Sequence, residues 1–319
     1  MKKSMYHIVG MFLLVLIPLV SPLWAGEVVT QNIKQWAKKA LEEEKALRPI
    51  EARNTVAVLY FENKTGKSEL DPLQKGLALM LITDLFNVKG LQVVERVKLQ
   101  ALVEEMGFGT SGLVEAGNAP RVGRILGARW LIGGEITRGS IKIQSNVLDV
   151  GEKKILGQPM VIGEMEDLFR LEKELLFEII KFLKIDITPQ EKEELRRYCS
   201  TNIRALNLLF RGIDASDRGN YEMAAQFYES ALKEDPKICI AHGALQELIH
   251  LRLIKSQKRS RELLNSLRDR SSLTDQLTPE DSTRRIRTPN DTTPSQGTTP
   301  FQRTTPSQGT TPSQRTPYN

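Results

Sequence analysis

The run TVAVLYF at residues 55–61 decides the fold. Seven consecutive residues, β-branched, aromatic or aliphatic, read as a strand buried on both faces, and such a strand needs helices packed over its sheet. Outward from it, NKTGKS (63–68) is turn chemistry. Leu73, Leu77, Met80, Leu81 and Leu85 then recur at helical spacing from Pro72 to Phe86, closed by Gly90. LQVVE (91–95) reads as a second strand, and Val97 to Met106 as a helix stopped by Gly107 and Gly109. A Gly-rich loop and a short helix from Arg121 to Leu126 lead to three strands, 128–137, 141–150 and 155–163, with a closing helix from Met165 to Leu183. Alternating helices and strands followed by a meander predict an α/β class, a mixed α+β sheet with packed helices, over 54–187.

On the N-terminal side, residues 26–53 hold one amphipathic helix, with Ile33, Trp36, Ala37, Ala40 and Leu41 on its apolar face. Residues 1–25 have the order of a secretory signal peptide: Lys2 and Lys3, an apolar stretch from Ile8 to Val20, then Pro18 and Pro22 before Ala25. That leader predicts export to the periplasm. Residues 188–273 turn wholly helical, with two helices around Arg218-Gly219-Asn220 and a third over 238–254. Gly212, Ala224, Tyr228, Ala231 and Pro236 fall at the signature positions of a tetratricopeptide (TPR) repeat. Small residues there let two helices approach, and proline stops the second. From 274 to 319 the chain becomes a Thr/Pro/Ser/Gln-rich six-residue repeat, a composition that buries no apolar area and predicts a disordered tail.

The formal net charge is +6 over 319 residues, yet residues 26–250 carry −2, so the basic character belongs to the leader and the C-terminal end. A nucleic-acid-binding core is not indicated. Two cysteines, Cys199 and Cys239, and three histidines are too few for a zinc cluster, and whether the cysteines pair stays open. Gly66-Lys67-Ser68 invites a phosphate-loop reading, but the required earlier glycine is Phe61, and Pro72 sits inside the helix that should cradle the phosphate. Gly133-Gly134 within a strand reads as close backbone packing. Glu95, Glu135 and Asp149 are dispersed, and no triad pattern occurs. The sequence thus predicts no catalytic residue, cofactor or metal site, and no enzymatic activity.

VAVLYFENKTG, LQKGLALMLITDLFNVKGLQVVER and APRVGRILGARWLIGGEI resemble the CsgG family, the curli production assembly/transport components. The resemblance covers about 54–183 and rests on Phe61, Asn63, Thr65, Gly66, Val93, Val94, Glu95, Arg96, Gly123, Leu126, Gly127 and Ala128. TolB N-terminal-like domains and penicillin-binding-protein activators share much of this pattern. The resemblance implies a periplasmic α/β domain that oligomerises or docks partners without a cofactor. This chain lacks a lipobox cysteine after Ala25, and only Arg138, Gly139 and Ser140 separate the strands 128–137 and 141–150. Strand 141–150 also reads as poorly alternating, because Ser145 and Asp149 share a face with Ile141, Ile143 and Val147. The expectation is therefore a non-catalytic assembly or scaffolding factor of the cell envelope. Its partners would be envelope or secretion-system proteins, a homo-oligomer being a further option, with peripheral contact to the outer membrane. The alternative is an oligomeric outer-membrane transport component resembling the curli channel.

Overall fold

Strand β1 (Thr55–Asn63) is the spine of a six-stranded sheet, with Val56 to Phe61 all buried. In this computed structural model residues 27–44, 54–107, 118–137, 141–198 and 200–277 are described. The signal peptide expected at 1–25, the end of the segment expected over 26–53, most of the Gly-rich loop, the turn at 138–140, the part of the expected tail beyond 277, Cys199 and the Cys239 side chain lie outside the described residues. The described residues up to Arg270 form one compact unit, and a second begins at Ser271.

β1 is flanked by two parallel neighbours, β2 (Gln92–Val93) and β3 (Trp130–Thr137). β3 pairs antiparallel with β4 (Ile141–Asp149), and the far edge of β4 carries β5 (Lys154–Gly157) and β6 (Met160–Gly163). Parallel strands on one side and an antiparallel meander on the other make the mixed sheet that the segment order predicts. Helix α2 (Asp71–Leu85) packs along β1, and α5 (Leu168–Leu183) packs along β4, β5 and β6 and against α2. On the N-terminal side, α1 (Gln31–Glu42) packs on α3 (Arg96–Met106) through Val29, Ala37, Val97 and Ala101. Helix α4 (Ala119–Ile125) leads into β3.

Some expectations need correction. The second strand is shorter than LQVVE, because Glu95 serves as the N-terminal cap residue of α3. The strand expected over 155–163 is two pieces: Pro159 has no N–H to give β4, and only its carbonyl pairs, accepting from Ser145 N at 2.9 Å. β4 does alternate, with Ile141, Ile143, Ser145, Val147 and Asp149 all buried. Its two polar members are satisfied inside: Ser145 Oγ donates to the Gly133 carbonyl at 3.0 Å, and Asp149 Oδ1 accepts from Glu152 N at 2.9 Å. Gly133-Gly134 mark close packing as read, since a Cβ on Gly134 would lie 2.0 Å from the Gln144 carbonyl oxygen.

The C-terminal helices stack on the sheet's helical layer. Helix α7 (Ile203–Asp217) lies on α2, where the Phe210 ring occupies the space a Cβ on Gly76 would need. α8 (Tyr221–Glu234) returns along α7, and α9 (Cys239–His250) packs on α8. Helix α10 (Gln257–Leu277) is the last of the described elements and carries Lys258, Arg259, Arg261 and Arg268. One element escaped the sequence reading, α6 (Pro189–Leu195). Its signal was present: Thr188 and Glu191 form a reciprocal capping box, with Pro189 at the first helical position.

Candidate functional site

The residues named by motif fall into structural turns. Phe61 is fully buried. Asn63 Oδ1 accepts from Thr65 N at 3.1 Å and from Thr65 Oγ1 at 2.6 Å, and its Nδ2 donates to the Lys67 carbonyl and to Asp71 Oδ1. Gly66 completes this turn at φ +74°, a left-handed conformation that favours glycine. The Asn-x-Thr-Gly pattern thus folds the exit of β1 upon itself through side-chain bonds to its own backbone. Gly123 lies under Val150, where a Cβ would come within 2.6 Å of that side chain, and Ala128 N donates to the Gly123 carbonyl. Gly127 turns the chain at φ +66°. Glu95 sits at the surface beside Lys98.

Arg96 is different in kind. Its side chain is 1% exposed and reaches across the molecule. Nη1 donates to Asp217 Oδ1 and Oδ2 at 3.1 and 3.0 Å, Nε to Glu27 Oε2 at 3.1 Å, and Nη2 to the Glu27 carbonyl at 2.7 Å. Lys75 Nζ joins Asp217 at 2.8 Å, and the Tyr60 hydroxyl donates to Gln100 Oε1 at 2.7 Å beside them. One guanidinium therefore ties together the N-terminal segment, α3 and the end of α7. Burial pushes the Glu27 carboxyl up to about 7 against the pull of Arg96. Burial works against the charge of Arg96 too, but Asp217, Tyr60 and Glu27 outweigh it and hold it protonated. Tyr228 of the helical pair borders this cluster, its phenol pushed up by burial, and its ring fills the space beside Gly212. Ala224 and Ala231 are buried in the same helix pair. Arg96, Gly212 and Tyr228 are thus gathered in one region; the Asn63–Gly66 and Gly123–Ala128 turns have separate contacts.

A second cluster, which no motif announces, lies in a cleft where α2 and α5 meet α7. Lys173 Nζ stands 2.5 Å from Asp84 Oδ2 and 3.7 Å from Glu172 Oε2. Glu172 is 1% exposed, and its Oε1 has no hydrogen-bond partner. Burial first, and then Asp84 beside it, push the Glu172 carboxyl well above the usual carboxylate range; Lys173 pulls the other way. The walls are apolar: Met80 from α2, Phe169 from α5, and Leu206 and Leu209 from α7. Tyr198 stands at the rim, with the Lys173 ammonium 5.9 Å from its ring and Phe169 edge-on at 6.1 Å. Such a site can take a proton, or a hydrogen-bond donor carried on an apolar body. Glu172 and Lys173 are neighbours in α5, and only the packing of α2 on α5 brings Asp84 to them.

Residues 37–146 match the family model described as "Curli production assembly/transport component CsgG". The CsgG match runs from the middle of α1 into β4, so it starts earlier and ends earlier than the resemblance over 54–183. It takes in Arg96, the Asn63–Gly66 turn and the Gly123–Ala128 turn. Among solved structures, the C-terminal domain of LpoB from Salmonella enterica is similar at 15% identity and a TM-score of 0.27, covering 41% of this chain and 95% of that one. The NMR structure of Escherichia coli LpoB is similar at 15% identity and a TM-score of 0.30, covering 41% and 64%. A curated relative of Rhizobium meliloti (strain 1021), "Putative adenylate cyclase 3", is 27% identical over 202 residues, which is 61% of this chain and 32% of that protein. The chain spans about a third of that relative's length.

This last finding corrects the expectation of no enzymatic activity, because the relative carries an enzyme's name. Local motifs carry only part of enzymatic chemistry. Folding gathers acids and bases from distant positions, as Asp84, Glu172 and Lys173 illustrate. Among the described residues, no group of three or more His, Cys, Asp or Glu could hold a metal ion, and no helix is long and apolar enough to cross a membrane.

Proposed function

We propose that the chain is a cell-envelope assembly factor that binds protein partners, exported by a leader at 1–25 to the periplasm. In this reading 54–187 is the CsgG-like domain and 188–273 a TPR-type helical region, with Gly212, Ala224, Tyr228, Ala231 and Pro236 its signature, followed by a Thr/Pro/Ser/Gln-rich repeat tail from 274. The Asn63–Gly66 and Gly123–Ala128 turns shape the domain, and Arg96 locks the helical pair to it. The CsgG match over 37–146 supports the envelope assignment.

The observation that carries partner binding is the outer edge of the sheet. Among the described residues, β5 and β6 pair with β4 alone. Ile155, Met160 and Ile162 on this edge are half or more exposed, on the face opposite the buried Val161. Because the Pro159 carbonyl pairs inward with Ser145, antiparallel alternation turns the backbone N–H and C=O of Met160 and Ile162 outward. An unpaired backbone row with apolar side chains suits strand addition. The occupant is an extended strand of a partner protein. Its acidic end would lie beside Lys153 and Lys154, and its basic end beside Glu164, all three exposed.

A photo-crosslinker at position 162 in the exported chain tests this. The expected adduct maps to an extended segment of another envelope protein. It disappears with Met160→Pro, which removes one outward N–H, while the melting temperature stays within a few degrees. Absence of an adduct, survival of the adduct in Met160→Pro, or an adduct only to a second copy overturns the reading. A transport role is the second reading, favoured by the description of the matched family. It predicts a large ring extractable only from outer membrane, against a detergent-free periplasmic species of low mass.

A further inference from the structure

We propose that the cleft between α2, α5 and α7 binds an organic cation, an alkylammonium whose nitrogen donates to Glu172 Oε1 and whose hydrocarbon stem lies on Leu206 and Leu209. Two acids, Asp84 and Glu172, face one base, Lys173, so the set has room for one more positive charge. Lys173 is committed to Asp84 at 2.5 Å, which leaves Glu172 Oε1 as the buried acceptor without a donor. An unpaired buried acceptor is unfavourable, and a ligand N–H removes that cost. The cavity measures about 40 Å³. One water needs only about 10–15 Å³, and a water would leave the apolar walls uncovered.

Charge balance selects the ligand class. With Glu172 protonated, the floor of the cleft holds one carboxylate against one ammonium. When a cation enters, the Glu172 proton leaves to solvent, and two carboxylates then face two cations, so the buried set is neutral in both states. An anion would meet two acids and a lysine already paired. The other groups around Glu172 bring no charge: Leu206 and Leu209 from α7, Ile238 before α9, and the Tyr198 and Ser200 hydroxyls on the link between α6 and α7.

The test is calorimetric titration of the full chain at pH 7 with n-butylammonium, n-butanol and butyrate, in two buffers of different ionisation enthalpy. Butylammonium is expected to saturate one site and release close to one proton. Butanol should bind at least about tenfold more weakly, the worth of one charge-assisted hydrogen bond, with no proton released, and butyrate should not bind. Glu172→Gln should lose both the proton release and the preference for the ammonium. Leu209→Phe fills the stem pocket without touching the acid, and should block binding in a chain that still melts cooperatively. Equal affinity for butanol and butylammonium overturns the proposal, as does butylammonium binding without proton release, binding undiminished in Leu209→Phe, or no saturable binding at all.

Discussion

Replacing Arg96 with methionine keeps most of the side chain's volume and deletes its charge. The guanidinium and the Asp217 carboxylate are each 1% exposed, and the substitution removes two bonds to Asp217 and two to Glu27 at 2.7 to 3.1 Å. Removing one partner of a buried ion pair costs about 3–5 kcal/mol, chiefly because the other charge is stranded. Two features place this case at the lower end. Lys75 Nζ stays 2.8 Å from Asp217, and Glu27, whose carboxyl already sits up at about 7, sheds its charge by taking a proton once Arg96 is gone. A loss of about 3 kcal/mol follows, and in a chain of this size it lowers Tm by roughly 6–12 °C. Urea and thermal unfolding followed by circular dichroism at pH 7 would measure it. Hydrogen exchange should show α1 and residues 27–30 opening first, because Arg96 holds that segment through Glu27. Arg96→Met with Asp217→Leu should recover part of the loss, since no buried carboxylate is stranded at 217 and Lys75 keeps Asp214 at 3.4 Å. A loss under about 1 kcal/mol for Arg96→Met, or strict additivity in the double variant, would refute the view that this buried pair joins the helical pair to the sheet domain.

Stability should fall as pH rises from about 4.5 to 7, because folded Glu27 holds its proton up to about 7 while the unfolded chain has already released it. The full contribution is about 3 kcal/mol, and Glu27→Gln should flatten that limb of a pH–Tm profile. Glu191 acts with the opposite sign. Bonds from the Thr188 hydroxyl, the Thr188 amide and the Lys89 amide hold its carboxyl down to about 2, so its contribution is present above the ordinary carboxylate value and lost as pH falls through about 2. Glu191→Ala should therefore blunt acid unfolding, with no change in slope between pH 5 and 7. Gly134→Ala should destabilise by roughly 1–3 kcal/mol or more, since the new methyl would sit 2.0 Å from a backbone oxygen. Gly133→Ala, whose nearest neighbour is the Leu59 side chain at 3.3 Å, should cost clearly less; equal losses in urea unfolding would show that β3 and β4 do not approach so closely.

Much of the fold is legible because the signals are local. The unbroken apolar run of β1, the 3.6-residue periodicity of α2 and α5, and the Arg218–Asn220 turn between α7 and α8 each reside within about twenty residues. Motif reading also reached Arg96, as part of a family pattern rather than for its chemistry. Where it failed, one residue had two readings. Ser145 and Asp149 look like breaks in an apolar face, and only the sheet shows them buried and hydrogen-bonded. Pro159 carries its own break signal, because proline has no N–H to give a ladder, and one strand over 155–163 ignores it.

From sequence alone come the element types, their order and the mixed sheet, because backbone sterics and hydrophobic spacing act between near neighbours. Tertiary structure alone decides which charges meet. Arg96 finds Asp217 across 121 positions and Glu27 across 69, and Glu172 comes to face Asp84 and a cavity. No local pattern encodes these meetings: a side chain's electrostatic partner depends on how whole helices pack, and burial strengthens the interaction only after that packing has excluded water.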